Sequence, residues 1–441
     1  MRRLSLFYAV AIILALAIPI SLQAGKVQMD VSPANPYLLA DKKQNTYLKV
    51  NLTGFKLKDR KKRTAVNIAI VLDRSGSMEG ENLTRAKQAA IMAIERLKEN
   101  DIVSVITYDD EVSVIVPATK VNNRYAIRSA INNVSSGGST ALYDGVKAGA
   151  DEVRKYLDKN KVNRIILLSD GQANVGPDSP GALGYLGASL LKEGISVTTI
   201  GLGLGYNEDL MVQLAKKSDG NHAFVEYPRD LVKIFNFEFG DVLSVVAQKV
   251  KVKIKCAKGM KPIRVLGREA VISGRNVFVE LNQLYSEQSK YVLLELQPAV
   301  LGHNEQRRMA KAIVTYNNME SKAMDHITGY ADVIYTKSKA KVKSSVNRNV
   351  MVQVVLQIAA EKNRKALELM DKGKDEEARK LLLSNSRYLK KKGKKYKSKA
   401  LKKYSAESKK NARRPKSKKA KAKRRKRMKK KQRSIENQQK W

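Results

Sequence analysis

The chain has 441 residues, room for two or three domains of ordinary size, and 43% of them are hydrophobic, enough for a sizeable core. A single cysteine, Cys256, excludes an internal disulfide framework. Lys and Arg outnumber Asp and Glu by 85 to 42, a net charge of +43, which directs attention to anionic partners such as acidic lipid headgroups, anionic wall polymers or nucleic acid.

At the N-terminus Arg2 and Arg3 precede an apolar run from Leu4 to Ile20, and the small residue Ala24 follows. Positive flank, apolar stretch and small residue read as a secretory signal over residues 1–24, with a membrane anchor as the outcome if it is not cleaved. An extracytoplasmic location, periplasmic or secreted, is therefore expected. Residues 25–63 read as a β segment, with alternation at Leu48, Val50 and Leu52 and turns at Ser32-Pro33 and Asn35-Pro36. A basic connector, Lys56 to Arg63, closes it.

From 64 to 240 the pattern changes to strands alternating with amphipathic helices. Asn67 to Leu72 is continuously apolar after its first residue, as in a strand buried on both faces. Helical stripes (Leu83, Ala86, Ala90, Ala93, Ile94, Leu97) and further buried strands (Ile102–Tyr108, Arg164–Ser169, Ile195–Leu202) follow. The expected fold is α/β: a doubly wound, mostly parallel sheet. Residues 241–345 return to a period of two (Val250, Val252, Ile254; Val292, Leu294, Leu296) and predict an antiparallel β domain with which segment 25–63 pairs. Residues 346–390 predict a helical hairpin turning at Asp371-Lys-Gly-Lys. Between Arg387 and Trp441 there are 28 Lys/Arg and two acids, and so few apolar residues that 391–441 is expected to be disordered.

Three short motifs carry the chemistry. Asp73-Arg-Ser75-Gly-Ser77 ends the first buried strand, Gly137-Gly-Ser-Thr140 lies in a loop, and Asp170 follows another buried strand. In a doubly wound sheet, residues just past strand C-termini converge on the crevice where strand order reverses. The resulting set of two carboxylates and three hydroxyls is all oxygen and suits a hard divalent cation, Mg²⁺ first, with Mn²⁺ or Ca²⁺ also accommodated. Neutral hydroxyls do not quench such an ion, which then accepts a carboxylate from outside. Enzyme signals are missing from the sequence: His222, His303 and His326 are scattered, and there is neither a His-Glu-x-x-His nor a phosphate-binding Gly-x4-Gly-Lys-Ser/Thr motif.

These residues resemble the metal-ion-dependent adhesion site of von Willebrand factor A and integrin I domains, Asp-x-Ser-x-Ser followed by Thr and Asp. The resemblance covers roughly residues 66–235, and the wider layout is similar to bacterial A-domain proteins and, distantly, to inter-alpha-trypsin inhibitor heavy chains. It implies that Ser75 and Ser77 ligate the metal directly, and that Asp73, Thr140 and Asp170 do so directly or through water. The expectation is a non-enzymatic binding protein that captures an Asp or Glu of a protein partner through its metal. The basic tail would hold it on anionic lipid or cell-wall polymer. Export and the sparse aromatics of the tail argue against nucleic acid. The alternative is a scaffolding protein in which the metal only stabilises the domain.

Overall fold

The computed structural model describes residues 25–57, 63–170, 173–203, 205–415 and 417–436. The segment read as an export signal, 1–24, lies outside them, as do residues 58–62 of the basic connector and the last five residues. Among the described residues no helix is long and apolar enough to cross a membrane.

The chain opens with three strands, β1 (Gln28–Pro33), β2 (Tyr37–Leu39) and β3 (Thr46–Thr53). The α/β unit follows as β4 (Val66–Asp73), α1 (Glu81–Arg96), β5 (Ile102–Tyr108), β6 (Val112–Lys120), α2 (Arg124–Asn132), α3 (Leu142–Arg154), β7 (Val162–Ser169), α4 (Pro180–Glu193), β8 (Ser196–Leu202), α5 (Glu208–Lys217), β9 (His222–Val225) and α6 (Leu231–Val242). Its sheet runs β6-β5-β4-β7-β8-β9, parallel except for β6. Every residue of β4 is buried. Ile68, Ile70 and Leu72 join a core with α1 and α6, while Ala69 and Val71 face the opposite core with Val146, Ala150 and Leu210. A period-two strand with apolar residues at both parities has nowhere to go but between two helical layers.

Seven more strands follow: β10 (Val245–Cys256), β11 (Met260–Leu266), β12 (Val271–Ser273), β13 (Asn276–Tyr285), β14 (Ser289–Pro298), β15 (Gln306–Asn318) and β16 (Met324–Thr336). With β1–β3 they form two sheets, β1-β3-β14-β11 and β12-β13-β10-β15-β16-β2. Strand β3 lies between β1 and β14, with Val50 opposite Val31 and Val292, so the α/β unit is inserted into a β structure made from both sides of it in sequence. Leu48, Val50 and Leu52 meet Val250, Val252, Ile254 and Val279 in one core. Cys256 is buried there, and burial pushes its thiol up to about 11. The α/β unit joins this structure through the fully buried Arg164, which donates to Thr198 Oγ1 (2.8 Å) and to Gln283.

Five helices end the described chain: α7 (Lys339–Ser344), α8 (Arg348–Asp371), α9 (Asp375–Lys395), α10 (Lys399–Asn411) and α11 (Lys418–Glu436). Gly373, at φ +74°, makes the turn between α8 and α9. Where it is described, the tail expected to be disordered over 391–441 is largely helical: α9 runs to Lys395, and α10 and α11 follow. Apolar residues are few in this stretch, but the larger ones among the described residues are spaced so that they pack against other helices. Tyr396, Leu401 and Tyr404 are buried against Val355 and Leu389, and Met428 against Met370 and Leu382. Composition counted the apolar residues without seeing that α8 and α9 present a surface to receive them.

Candidate functional site

Strand order reverses between β4 and β7, because β4 leads to β5 on one side and β7 to β8 on the other. Asp73 is the last residue of β4, and Asp170 directly follows β7. The two carboxylates thus open into the same crevice.

Hydrogen bonds link four of the five expected residues in series. Asp73, fully buried, accepts from Ser75 N at Oδ1 (2.9 Å) and from Ser169 Oγ at Oδ2 (2.5 Å). Ser75 Oγ and Ser77 Oγ are 3.2 Å apart, and Ser77 Oγ donates to Asp170 Oδ1 (2.8 Å). The short 3-10 turn Gly76–Met78 places the two serines on one side of the crevice. The loop that leads to Thr140 is tied to the serine turn through its backbone. Gly76 N donates to Gly138 O (3.1 Å) and Gly137 N to Arg74 O (2.9 Å), tying the Gly-Gly loop to the serine turn two residues before Thr140. Thr140 itself is buried, and its backbone N–H donates to Asn174 Oδ1 (2.8 Å).

Asn82, Ser169 and Asn174 were not read as part of the site. Asn82, on the first turn of α1, donates to Asp170 Oδ2. Its position five residues after Ser77, where a helix begins, was the available signal. Ser169 and Asn174 carried no motif and could be assigned only from the fold. Asp109 and Asp110 brace the loop: Asp109 pairs with Arg74 (2.9 Å), and Asp110 Oδ1 accepts from Ser139 N (3.2 Å). Gly138 is required there, since its φ is +63° and a Cβ would fall 1.7 Å from Asp110 Oδ1. His222 is occupied inside the domain, its two ring nitrogens meeting Thr199 Oγ1 (2.9 Å) and Tyr206 OH (3.2 Å).

Electrostatics at the crevice lean toward excess negative charge. Burial raises the Asp170 pKa, and the charge of Asp73 raises it further, against hydrogen bonds from Ser77 and Asn82 that lower it. Tyr108, buried beside them, is likewise held protonated by burial and by Asp73. Among the described residues no group of three or more His, Cys, Asp or Glu is placed to hold a metal. A cation here would therefore depend on the hydroxyls as well as on the two carboxylates. That all-oxygen donor set is one a hard divalent ion accepts, and its charge would offset the repulsion between Asp73 and Asp170.

Comparison with known proteins agrees with the geometry. The family model described as von Willebrand factor type A domain matches residues 67–235. An uncharacterized protein of Escherichia coli (strain K12), YfbK, is 30% identical over 216 residues, covering 48% of this chain and 37% of that protein. Inter-alpha-trypsin inhibitor heavy chain H3 of Pongo abelii is 28% identical over 163 residues, 35% of this chain and 18% of that one. The chain thus spans well under half the length of either relative. A solved von Willebrand factor type A protein from Catenulispora acidiphila superposes with a TM-score of 0.69 at 15% identity, over 86% of this chain and 89% of its own, a likeness of fold.

Proposed function

From the premise that residues 67–235 are a von Willebrand factor type A domain, a fold of protein-interaction modules, we propose that this chain is an exported, non-enzymatic binding protein. Its crevice would hold a divalent cation, Mg²⁺ first, and take an Asp or Glu carboxylate from a protein partner. Ser75 and Ser77 would ligate through their hydroxyls. Asp73, with both oxygens engaged by Ser75 N and Ser169 Oγ, is better suited to act through water. Asp170 and Thr140 would complete the set. When bound, the cation supplies a Lewis-acidic position for the incoming carboxylate. The basic C-terminal region would add attraction to an anionic surface, lipid or wall polymer.

The observation that carries the reading is the series of hydrogen bonds from Ser169 Oγ to Asp73, from the Ser75 backbone N–H to Asp73, and between the Ser75 and Ser77 hydroxyls and on to Asp170, at the switch point of the sheet. The test is a Mn²⁺ titration of the full chain, followed by binding of a glutamate-rich peptide with and without chelator. We expect a single Mn²⁺ site, about 10- to 100-fold weaker in Asp73→Ala, and peptide binding that chelator abolishes. Peptide binding indifferent to chelator overturns carboxylate capture. Metal-dependent melting with metal-independent association would leave the scaffolding role in its place.

A further inference from the structure

The basic C-terminal region is two surfaces rather than one. Helix α11 has much of its charge matched within the chain. Arg425 pairs with Glu208 and with Asp371 (2.7 Å), Lys429 with Asp209, and Lys423 and Arg427 with Glu226. Lys421 pairs with Asp375 (2.9 Å). Residues 387–414, the end of α9, all of α10 and the turn after it, carry 14 Lys/Arg and the single acid Glu407. Among the described residues only two ion pairs involve this stretch, Arg414–Glu376 (2.8 Å) and Glu407–Lys431 (4.0 Å). Its cations are exposed at Lys390, Lys394, Lys402, Lys403, Lys409 and Arg413.

This surface contains an open cavity of about 350 Å³ lined by Arg379, Lys409, Arg413 and Arg414 together with Leu383 and Ala412. Arg424 fixes the turn on one side, donating to Asn411 O (3.1 Å) and Arg413 O (2.8 Å). We propose that the cavity and the surrounding α9–α10 face form a binding site for an extended phosphate-bearing polymer, whose successive phosphates follow the lysines outward from the cavity.

Three observations select that chemistry. Three guanidinium groups and an ammonium surround one cavity, with Glu376, shared by Arg379 (3.4 Å) and Arg414 (2.8 Å), as their ion-pair partner, and the surplus of donors suits phosphate oxygens, which take several donors at once. The apolar residues of these helices, Leu389, Leu401 and Tyr404, are buried among themselves, so the face offers charge without an apolar wedge for a bilayer. The aromatic rings are already used: Lys362 sits 4.3 Å over Tyr388, Lys395 lies 5.5 Å from the Tyr396 ring, and Tyr404 is buried. No ring is left to stack on bases among these three, so recognition is of phosphate and not of nucleobase. The inference rests on the anionic-surface half of the proposed function and is independent of the metal half.

The test uses the full chain in chelator, with long-chain inorganic polyphosphate as the probe. We expect binding that weakens steeply between about 50 and 200 mM salt. Lys409→Gln/Arg413→Gln/Arg414→Gln is expected to weaken it about tenfold, and the charge-matched Lys421→Gln/Lys423→Gln/Arg427→Gln on α11 less than about twofold. Melting curves of both variants confirm that they fold. Equal losses in the two variants overturn the site while leaving general attraction to polyanions standing; no binding by the parent chain removes both. Equal affinity for polyglutamate overturns the choice of phosphate. Capture by phosphatidylglycerol vesicles without polyphosphate binding overturns the choice of polymer.

Discussion

Helices α10 and α11 are both strongly basic, yet the fold treats their charges in opposite ways. On α11, Lys426 is buried, donates to Tyr206 O (2.8 Å) and Glu208 (3.2 Å), and lies 3.8 Å over the Tyr206 ring. Burial lowers its pKa, and Glu208 acts to restore it. Glu208 and Asp209 stand in the first turn of α5, where the helix dipole already favours acids, so α11 docks on a site prepared for cations. On the α9–α10 side, partial burial lowers the pKa of Lys392, and the like charges of its neighbours Lys395 and Lys391 lower it further. A cation with its counter-ion inside the chain stabilises the fold. One without it is left for solvent or for another molecule.

That contrast can be broken from the paired side first. Glu208→Ala strands the buried Lys426 and should cost about 3 kcal/mol, with faster amide exchange along α11; Lys402→Ala on α10 should change stability by less than about 0.5 kcal/mol. Equal costs would erase the distinction. The candidate crevice is the inverse case, where the charge of Asp73 raises the pKa of Asp170. Mg²⁺ at about 100 times its dissociation constant should raise unfolding free energy by about 2.7 kcal/mol, and Asp170→Ala should abolish the gain.

Glu238 sharpens the comparison with a charge buried beside another acid. Burial first, then Asp241, pushes its carboxyl from 4.5 up to about 7, while Asn221, Arg164 and Lys430 oppose the shift. Folding therefore favours the protonated form, and stability should fall as pH rises from about 4.5 to 7. Glu238→Gln, which can keep the Asn221 bond (2.8 Å), should flatten that slope and gain about 3 kcal/mol at pH 8. A slope that survives the substitution would assign it to other groups. The smallest effect belongs to α10: Lys399→Gln/Lys403→Gln should stabilise the chain by a few tenths of a kcal/mol at low salt, a gain that vanishes near 0.5 M.

Much of this was legible before any coordinates. The all-apolar Ile68–Leu72 and the 3.6-residue stripe of α1 specify a buried parallel strand and its covering helix, because each pattern has one way to hide its apolar atoms. Asp73, Ser75, Ser77 and Asp170 could be singled out because strand ends in such a sheet converge. Asn82, Ser169 and Asn174 could not, since a polar residue acquires its partner only when distant turns meet. The helices of the tail were not foreseen for a related reason: a count of apolar residues omits the surfaces that other helices provide.

The order of residues alone determined the layering of the α/β unit and which oxygens stand at its switch point, since both follow from periodicity and from the geometry of a parallel sheet. Tertiary structure decided which of many similar lysines are neutralised, because an ion pair depends on where Glu208, Glu226 and Asp371 lie in space, and in two of those cases the partner is about two hundred residues away along the chain.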